Sequence, residues 1–343
     1  MERINNDRRM MKYYKVQMVF GSLKALVTAI ASAPLKTWAS LRDLASRRNL
    51  VALVPAKAFA LSMGLFSLTT LADCSSEEGS EGIDSNVMQF QVSYPGEQTP
   101  STRVTDTAFE SGDRVGLFLT TANELLEASG NYVNNAPLTN NGSFWNTDKP
   151  IYWNNGSYDA YAYYPYRTEV GSVDDYDFSV ATDQRGEGYA ASDFLFAQAK
   201  GLTASASPVQ LQFAHRMSRI LLQLVKSSDY EGELPDEAEV MLHNTVPSAT
   251  IDLKVGVVTR NVYGQRQSIR CKSLGNHRYS AIVVPQRIDN RMPLVEVVMK
   301  GVSYLYESKF LFKPGVQHMV QLVISKNPDQ LKIEIGGEIE NWD

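Results

Sequence analysis

The chain has 343 residues, with 33 Lys and Arg against 38 Asp and Glu. The charge is uneven: residues 1–73 hold 11 basic and 4 acidic side chains, which leaves 22 basic and 34 acidic for the remainder, a net of −12. Such an acidic main body excludes nucleic acid as a partner, because phosphate binding needs concentrated Lys and Arg.

In chain order, a first apolar run spans Val16–Ala33 and ends in Ala31-Ser32-Ala33, the small-residue pattern of a signal-peptidase site, although Lys24 interrupts it and Pro34 follows it. A second run, Ala58–Leu71, is preceded by Lys57 and the Arg47-Arg48 pair, the layout of a secretory signal. Its 14 residues are too few to span a bilayer comfortably. This run meets Leu71-Ala72-Asp73-Cys74 and then an acidic Ser75-Ser76-Glu77-Glu78 tail, so residues 1–73 read as a leader and 74–85 as a short acidic linker.

From Asn86 the period changes to two. Met88, Phe90, Val92 and Tyr94 alternate with Gln89, Gln91 and Ser93, the pattern of a half-buried strand. Pro95-Gly96 ends it, a Pro, Thr and Ser-rich loop leads to Arg103, and a Gly112-Asp113 turn feeds a strand through Phe118. Asn131–Trp145 is turn-dense and too polar to build core. Ile151-Tyr152-Trp153 and Tyr158–Tyr164 flank Asn154-Asn155-Gly156-Ser157, which reads as a hairpin because Asn and Gly tolerate positive φ. Asp174–Asp183 reads as acidic loop, and Val209, Leu211 and Phe213 as a strand.

Ile220–Val225 is a β-branched and Leu-rich run, followed by strand patterns at Val240–Leu242, Ala249–Val255, Ser280–Val284, Leu294–Met299, Tyr304–Phe312, Gln317–Ile324 and Leu331–Ile335. Gly256, Gly264, Gly275, Pro285, Gly301, Pro314-Gly315 and Pro328 separate them, and no long helical period intervenes. The expectation is an all-β fold of two sandwiches, over 86–214 and 215–343.

Little reaction chemistry is encoded. His215, His243, His277 and His318 stand far apart without paired-ligand spacing, which argues against a metal site. There is no Gly-x-Ser-x-Gly elbow and no phosphate-cradling glycine loop, so neither an enzyme nor a cofactor is expected. Asp174, Asp175 and Asp177 lack calcium-loop spacing, and Cys271 has no partner motif that would make it a nucleophile. His215, beside Phe213, reads as a hydrogen-bonded structural residue. Trp145, Tyr152, Trp153, Tyr158, Tyr161, Tyr163 and Tyr164 offer flat rings for stacking on a sugar, while their alternation on strands also suits core pairs.

Leu71-Ala72-Asp73-Cys74 resembles the lipobox of bacterial lipoproteins, in which the cysteine becomes the first mature residue and is acylated; Asp73 stands where a small uncharged residue is usual. Ser75-Ser76-Glu77-Glu78 resembles the acidic signal that sends lipoproteins of gut and oral Gram-negative anaerobes to the outer face of the outer membrane. Together these imply an outer-membrane anchor through Cys74, each buried methylene of its acyl chains contributing about 0.8 kcal/mol. Acylation would leave Cys271 without a disulfide partner.

Five further strings occur in an order that resembles the fimbrillin superfamily, the Mfa-like fimbrillins of anaerobic bacteria, over nearly all of the mature region. They are Thr102-Arg103 leading to Phe109-Glu110-Ser111-Gly112-Asp113; Tyr161 to Tyr166; Ser192 to Ala197; Leu211 to His215; and Ile339-Glu340-Asn341-Trp342. The resemblance implies two tandem transthyretin-like β-sandwich domains, exported as a lipoprotein and used as a structural or adhesive pilus subunit. In polymerising relatives an arginine-specific protease cuts after the first strand, and a strand from another fimbrial subunit fills the vacated groove by β-strand addition. Carried onto this chain, the removable strand is Asn86–Tyr94 and the processing candidates are Arg103 and then Arg114. The last strand lies close to Asp343, which departs from a long donor segment and points to an accessory, tip or anchor role. A host or glycan ligand is a further expected partner. The alternative is an outer-membrane surface lipoprotein that binds glycans without polymerising.

Overall fold

The computed structural model describes residues 86–95, 108–289, 292–328, 332–340 and 342. The expectations for Leu71–Glu78, and for Arg103, concern residues outside this set. The described residues belong to one compact unit.

The earlier strands are β1 Phe90–Ser93, β2 Arg114–Thr121, β3 Val133–Asn140, β4 Trp145–Thr147, β5 Tyr158–Tyr164, β6 Tyr176–Ser179, β7 Leu195–Leu202, β8 Val209–Gln212 and β9 Ala214–His215. One helical turn, α1 Gly188–Ala191, precedes β7. The later strands are β10 Ser218–Lys226, β11 Glu239–Thr245, β12 Ser248–Asp252, β13 Val257–Arg260, β14 Gln267–Arg270, β15 Lys272–Gly275 and β16 Arg278–Val283. They continue as β17 Gln286–Ile288, β18 Pro293–Met299, β19 Val302–Glu307, β20 Phe310–Phe312, β21 Val316–Ile324 and β22 Lys332–Glu340. The described chain is therefore all-β apart from α1, as the period-two patterning requires.

The largest sheet has the order β8-β1-β4-β3-β2-β5-β7-β9. A five-stranded sheet β15-β16-β10-β21-β22 and a four-stranded sheet β14-β11-β18-β19 form the later part. Strands β2 and β5, and β7 over Leu195–Ala197, are buried on both faces, which is why they read as nearly continuous apolar runs. Val115, Leu117, Ala160, Ala162, Leu195 and Ala197 face a first core with Met88, Phe90 and Leu211. The residues between them, Phe118, Tyr161, Tyr163, Phe194 and Phe196, face a second core with Ile220, Leu242 and Val297.

The position 214/215 falls inside β9, and several links cross it, among them the following. Strand β6 pairs antiparallel with β12, from Ser179↔Ser248 to Tyr176↔Ile251. The buried Gln184 amide donates to the Ile282 carbonyl at 2.7 Å and accepts from the Ile282 N–H at 2.8 Å, standing in for a strand residue beside β16.

Three local expectations are overturned. Asn154–Ser157 does not close a hairpin: Tyr152 bridges Val87, Trp153 N–H donates to the Asn86 carbonyl at 2.7 Å, and β5 pairs with β2 and β7. The Asn-rich region supplies β3 and β4, because Leu138 alone provides a fully buried anchor while the asparagines face outward or bond neighbouring turns. The acidic stretch contains β6, whose Tyr176 and Phe178 alternate inward past exposed Asp177.

Candidate functional site

The first strand is the element that the sequence singles out, and its seating can be built residue by residue. Strand β1 runs parallel to β8 from Phe90↔Val209 to Ser93↔Gln212, and it is in register with β4 at Phe90↔Trp145 alone. Met88 N–H donates to the Ile151 carbonyl at 2.7 Å on one side, and Val209 N–H and Phe213 N–H donate to Gln89 and Ser93 carbonyls at 2.8 and 3.1 Å on the other. Gln89 and Gln91 face solvent, while Met88, Phe90 and Val92 are buried in the first core. Burying each such side chain contributes about 1.5–3 kcal/mol.

Tyr94, the next inward position, ends the strand in an aromatic node. Its ring stands edge-on to Phe109 at 5.2 Å and to His215 at 5.6 Å, and its hydroxyl donates to Asp193 Oδ2 at 3.3 Å. Burial, and then the nearby Asp193 carboxylate, hold that hydroxyl above the usual tyrosine range. Phe109 is the hub, with Trp145, Tyr164 and Phe213 also edge-on at 5.1–5.5 Å. Edge-to-face pairs of this kind are worth about 0.5–1.5 kcal/mol beyond their buried area.

His215 joins this node to the other end of the chain. Its Nδ1 lies 3.0 Å from Asp193 Oδ1, its Nε2 lies 2.9 Å from the Trp342 carbonyl, and its ring stacks on Trp342 at 4.1 Å. The structural role expected for His215 is the one it has. Phe109, Tyr164, Asp193, His215 and Trp342 each come from one of the five strings quoted above, so the strings meet in space. Single-sequence reading did not reveal that convergence; its only trace was the period-two pattern carrying on through Tyr94.

The remaining predicted residues lie apart. Arg114 is exposed at the start of β2, but its backbone pairs with Thr139, its carbonyl accepts from Tyr166 N–H at 3.2 Å, and its guanidinium covers the Tyr166 ring at 5.2 Å. Cys271 is buried, and burial pushes its thiol up to about 12. Asp174 pairs with Lys254 at 2.7 Å, and no group of three or more acidic, His or Cys side chains among the described residues is arranged to hold a metal. Of the aromatic cluster, Trp153, Tyr158, Tyr161 and Tyr163 are buried and cannot offer a face to a sugar; Tyr152 is 42% exposed. No helix among the described residues is long and apolar enough to cross a membrane.

The sequence model of the fimbrillin-like family matches residues 102–342. The chain belongs to the fimbrillin-like family. A relative from Bacteroides ovatus, named "Putative fimbrium tip subunit Fim1C", is 32% identical over 194 residues, covering 48% of this fimbrillin-like chain and 35% of the relative. This chain thus matches about a third of that protein's length. Two crystal structures, each described as a "putative cell adhesion protein", share its fold. One, from Bacteroides ovatus, has a TM-score of 0.59 at 20% identity, covering 74% of this chain and 96% of the other. The second, from Bacteroides uniformis, has a TM-score of 0.56 at 17% identity, covering 77% and 100%. The match places this fimbrillin-like chain among fimbrial proteins and not among enzymes.

Proposed function

We propose that this fimbrillin-like chain is a surface fimbrial subunit of accessory, tip or anchor type, exported as a lipoprotein acylated on Cys74 and assembled by exchange of β1. The observation that carries the reading is the seating of β1: a four-residue strand that fills an apolar groove yet shares its register with β4 at Phe90 alone. Withdrawing it would uncover Leu138, Leu211 and Phe213 and leave the β8 edge unpaired. An incoming strand with apolar residues at alternate positions would restore both the burial and the backbone bonds.

Of the two arginines, Arg103 suits processing better. A protease needs backbone it can draw into its own cleft, and the Arg114 backbone is held in the ladder to β3, whereas Arg103 stands in a Pro, Thr and Ser-rich stretch of sequence. The name of the Bacteroides ovatus relative supports the tip assignment. The partners on this reading are other fimbrial subunits, the outer membrane through the anchor, and a host or glycan ligand.

The test is to treat the mature chain with an arginine-specific protease and follow mass and assembly together. A single cut after Arg103, lost in Arg103→Ala and kept in Arg114→Ala, followed by higher-order particles in electron micrographs, is the expected result. A cut chain that stays monomeric among its partner subunits overturns strand exchange, and an unmodified Cys74 thiol in membrane-extracted protein overturns the anchor.

A further inference from the structure

Far from β1 in sequence, on the outward face of the sheet β14-β11-β18-β19, one chain of side-chain hydrogen bonds crosses all four strands. Ser268 Oγ lies 2.6 Å from His243 Nδ1, His243 Nε2 lies 3.0 Å from Glu296 Oε2, and Ser303 Oγ donates to Glu296 Oε1 at 2.6 Å. The Ser303 hydroxyl, and then His243, hold the Glu296 carboxyl below the usual range against a partial desolvation that opposes them. An ionised Glu296 can only accept, so His243 donates through Nε2, while its Nδ1 shares a hydrogen bond with the Ser268 hydroxyl.

Partly exposed pairs of this kind add only about 0–1 kcal/mol to stability. Fold stability therefore gives little reason for so ordered a network. Its effect is to fix oxygens in space: a carboxylate accepts up to about four hydrogen bonds and Glu296 uses two, and the Ser268 oxygen is held beside it through His243.

Ser268, His243 and Glu296 border an open cleft of about 380 Å³. Two further residues on its wall complete the chemistry. Arg266 is exposed and pairs with no carboxylate among the described residues; its guanidinium meets only Met292 Sδ at 3.9 Å. Leu305, directly across from Glu296 in the β18–β19 register, is 43% exposed. A free planar cation, fixed oxygen acceptors, an amide at Gln267 and a small apolar surface thus share one concavity.

We propose that this cleft binds an acidic saccharide, a sugar ring that carries a carboxylate. Arg266 takes the carboxylate in its bidentate fork, Glu296 and Gln267 take ring hydroxyls, and Leu305 packs against a C–H face. A neutral sugar gives the guanidinium no partner, and a phosphate dianion is repelled by the neighbouring Glu296 more strongly than a carboxylate is. The site does not depend on strand exchange; it would exist in a chain that never polymerises.

The experiment is titration calorimetry on the full chain with two disaccharides that differ only in a terminal glucuronic acid or glucose. The acidic probe is expected to bind at least tenfold more tightly. Arg266→Ala should bring both probes to the same weak affinity, Arg266→Lys should keep part of the preference, and Glu296→Gln should weaken both probes alike. Arg266 is exposed, so its variants should melt with the parent. Equal affinity for the two probes, an acid preference that survives Arg266→Ala, or no saturable binding of the acidic probe at about 10 mM, weaker than almost any specific site, would overturn the proposal.

Discussion

Strands β1 and β10 hold corresponding places. Each lies parallel to a strand late in its own part of the chain, β8 for one and β21 for the other, and each turns alternate apolar side chains inward. Strand β10 is in register with β21 from Arg219 to Lys226 and with β16 from Ser218 to Gln223, so both its edges are held over most of its length. For β1 the register covers Phe90–Ser93 on one side; on the other it covers Phe90, extended upstream by the Val87–Tyr152 bridge and the Met88 N–H and Trp153 N–H bonds to the Ile151 and Asn86 carbonyls. With each backbone hydrogen bond worth about 0.5–1.5 kcal/mol net, the longer pairing ties β10 to the fold more firmly than β1 is tied, and on the proposed reading β1 is the strand that leaves. On that reading the length of the clasp, more than the greasiness of the strand, separates the strand that stays from the strand that is exchanged.

The largest expected effect comes from placing a charge in each strand. Ile220→Asp sets a carboxylate where nothing is exposed and should cost more than about 4 kcal/mol, abolishing the folded state by circular dichroism. Val92→Asp should displace β1 while amide exchange in β10 and β21 stays protected. Loss of that protection would erase the distinction between the strands.

A smaller step sharpens it. Tyr94→Phe removes one hydroxyl bonded to a carboxylate, and should raise exchange at β1 amides by an amount equivalent to about 1–2 kcal/mol, with little change at β10. Equal acceleration in both strands would show that they open together.

The smallest effect is pH-dependent and belongs to the permanent side. His318, on β21, is buried against Phe310 and Phe312, and its Nε2 accepts from the Lys313 N–H at 3.2 Å. Burial lowers its proton affinity, aided by the Lys313 charge and opposed by Glu338. The unfolded chain then binds the proton more readily, so the stabilisation is complete above the ordinary histidine range and is lost as pH falls through it. Urea midpoints should decline between about pH 7 and 5, and His318→Gln should flatten that slope. An unchanged slope would put the acid sensitivity elsewhere.

Much of this was legible beforehand. The alternation at Met88–Tyr94 and the β-branched runs at Ile220–Val225 and Gln317–Ile324 became β1, β10 and β21, because burial on one or both faces leaves a direct mark on composition. The misses share one cause. Strands β3, β4 and β6 are carried by few anchors, such as Leu138, Tyr176 and Phe178, set among Asn and Asp, and their pairing with distant strands outweighs weak local preference. Asn154–Ser157 misled for the same reason: Tyr152 found a better partner in Val87 than in the nearby run. The Ser268–His243–Glu296–Ser303 chain spans residues 243–303, and only strand register brings it together.

The double-sided burial of β2, of β5 and of Leu195–Ala197 in β7 has a mechanical consequence. Leu117 and Phe118, neighbours in sequence, serve opposite cores, and Ala162 and Tyr163 do the same, so these strands form a wall held in common by everything packed on either side. Tension applied across such a block passes from one core to the other through this shared backbone. On the proposed reading it is met first at β1, whose pairing is shorter than that of the wall strands.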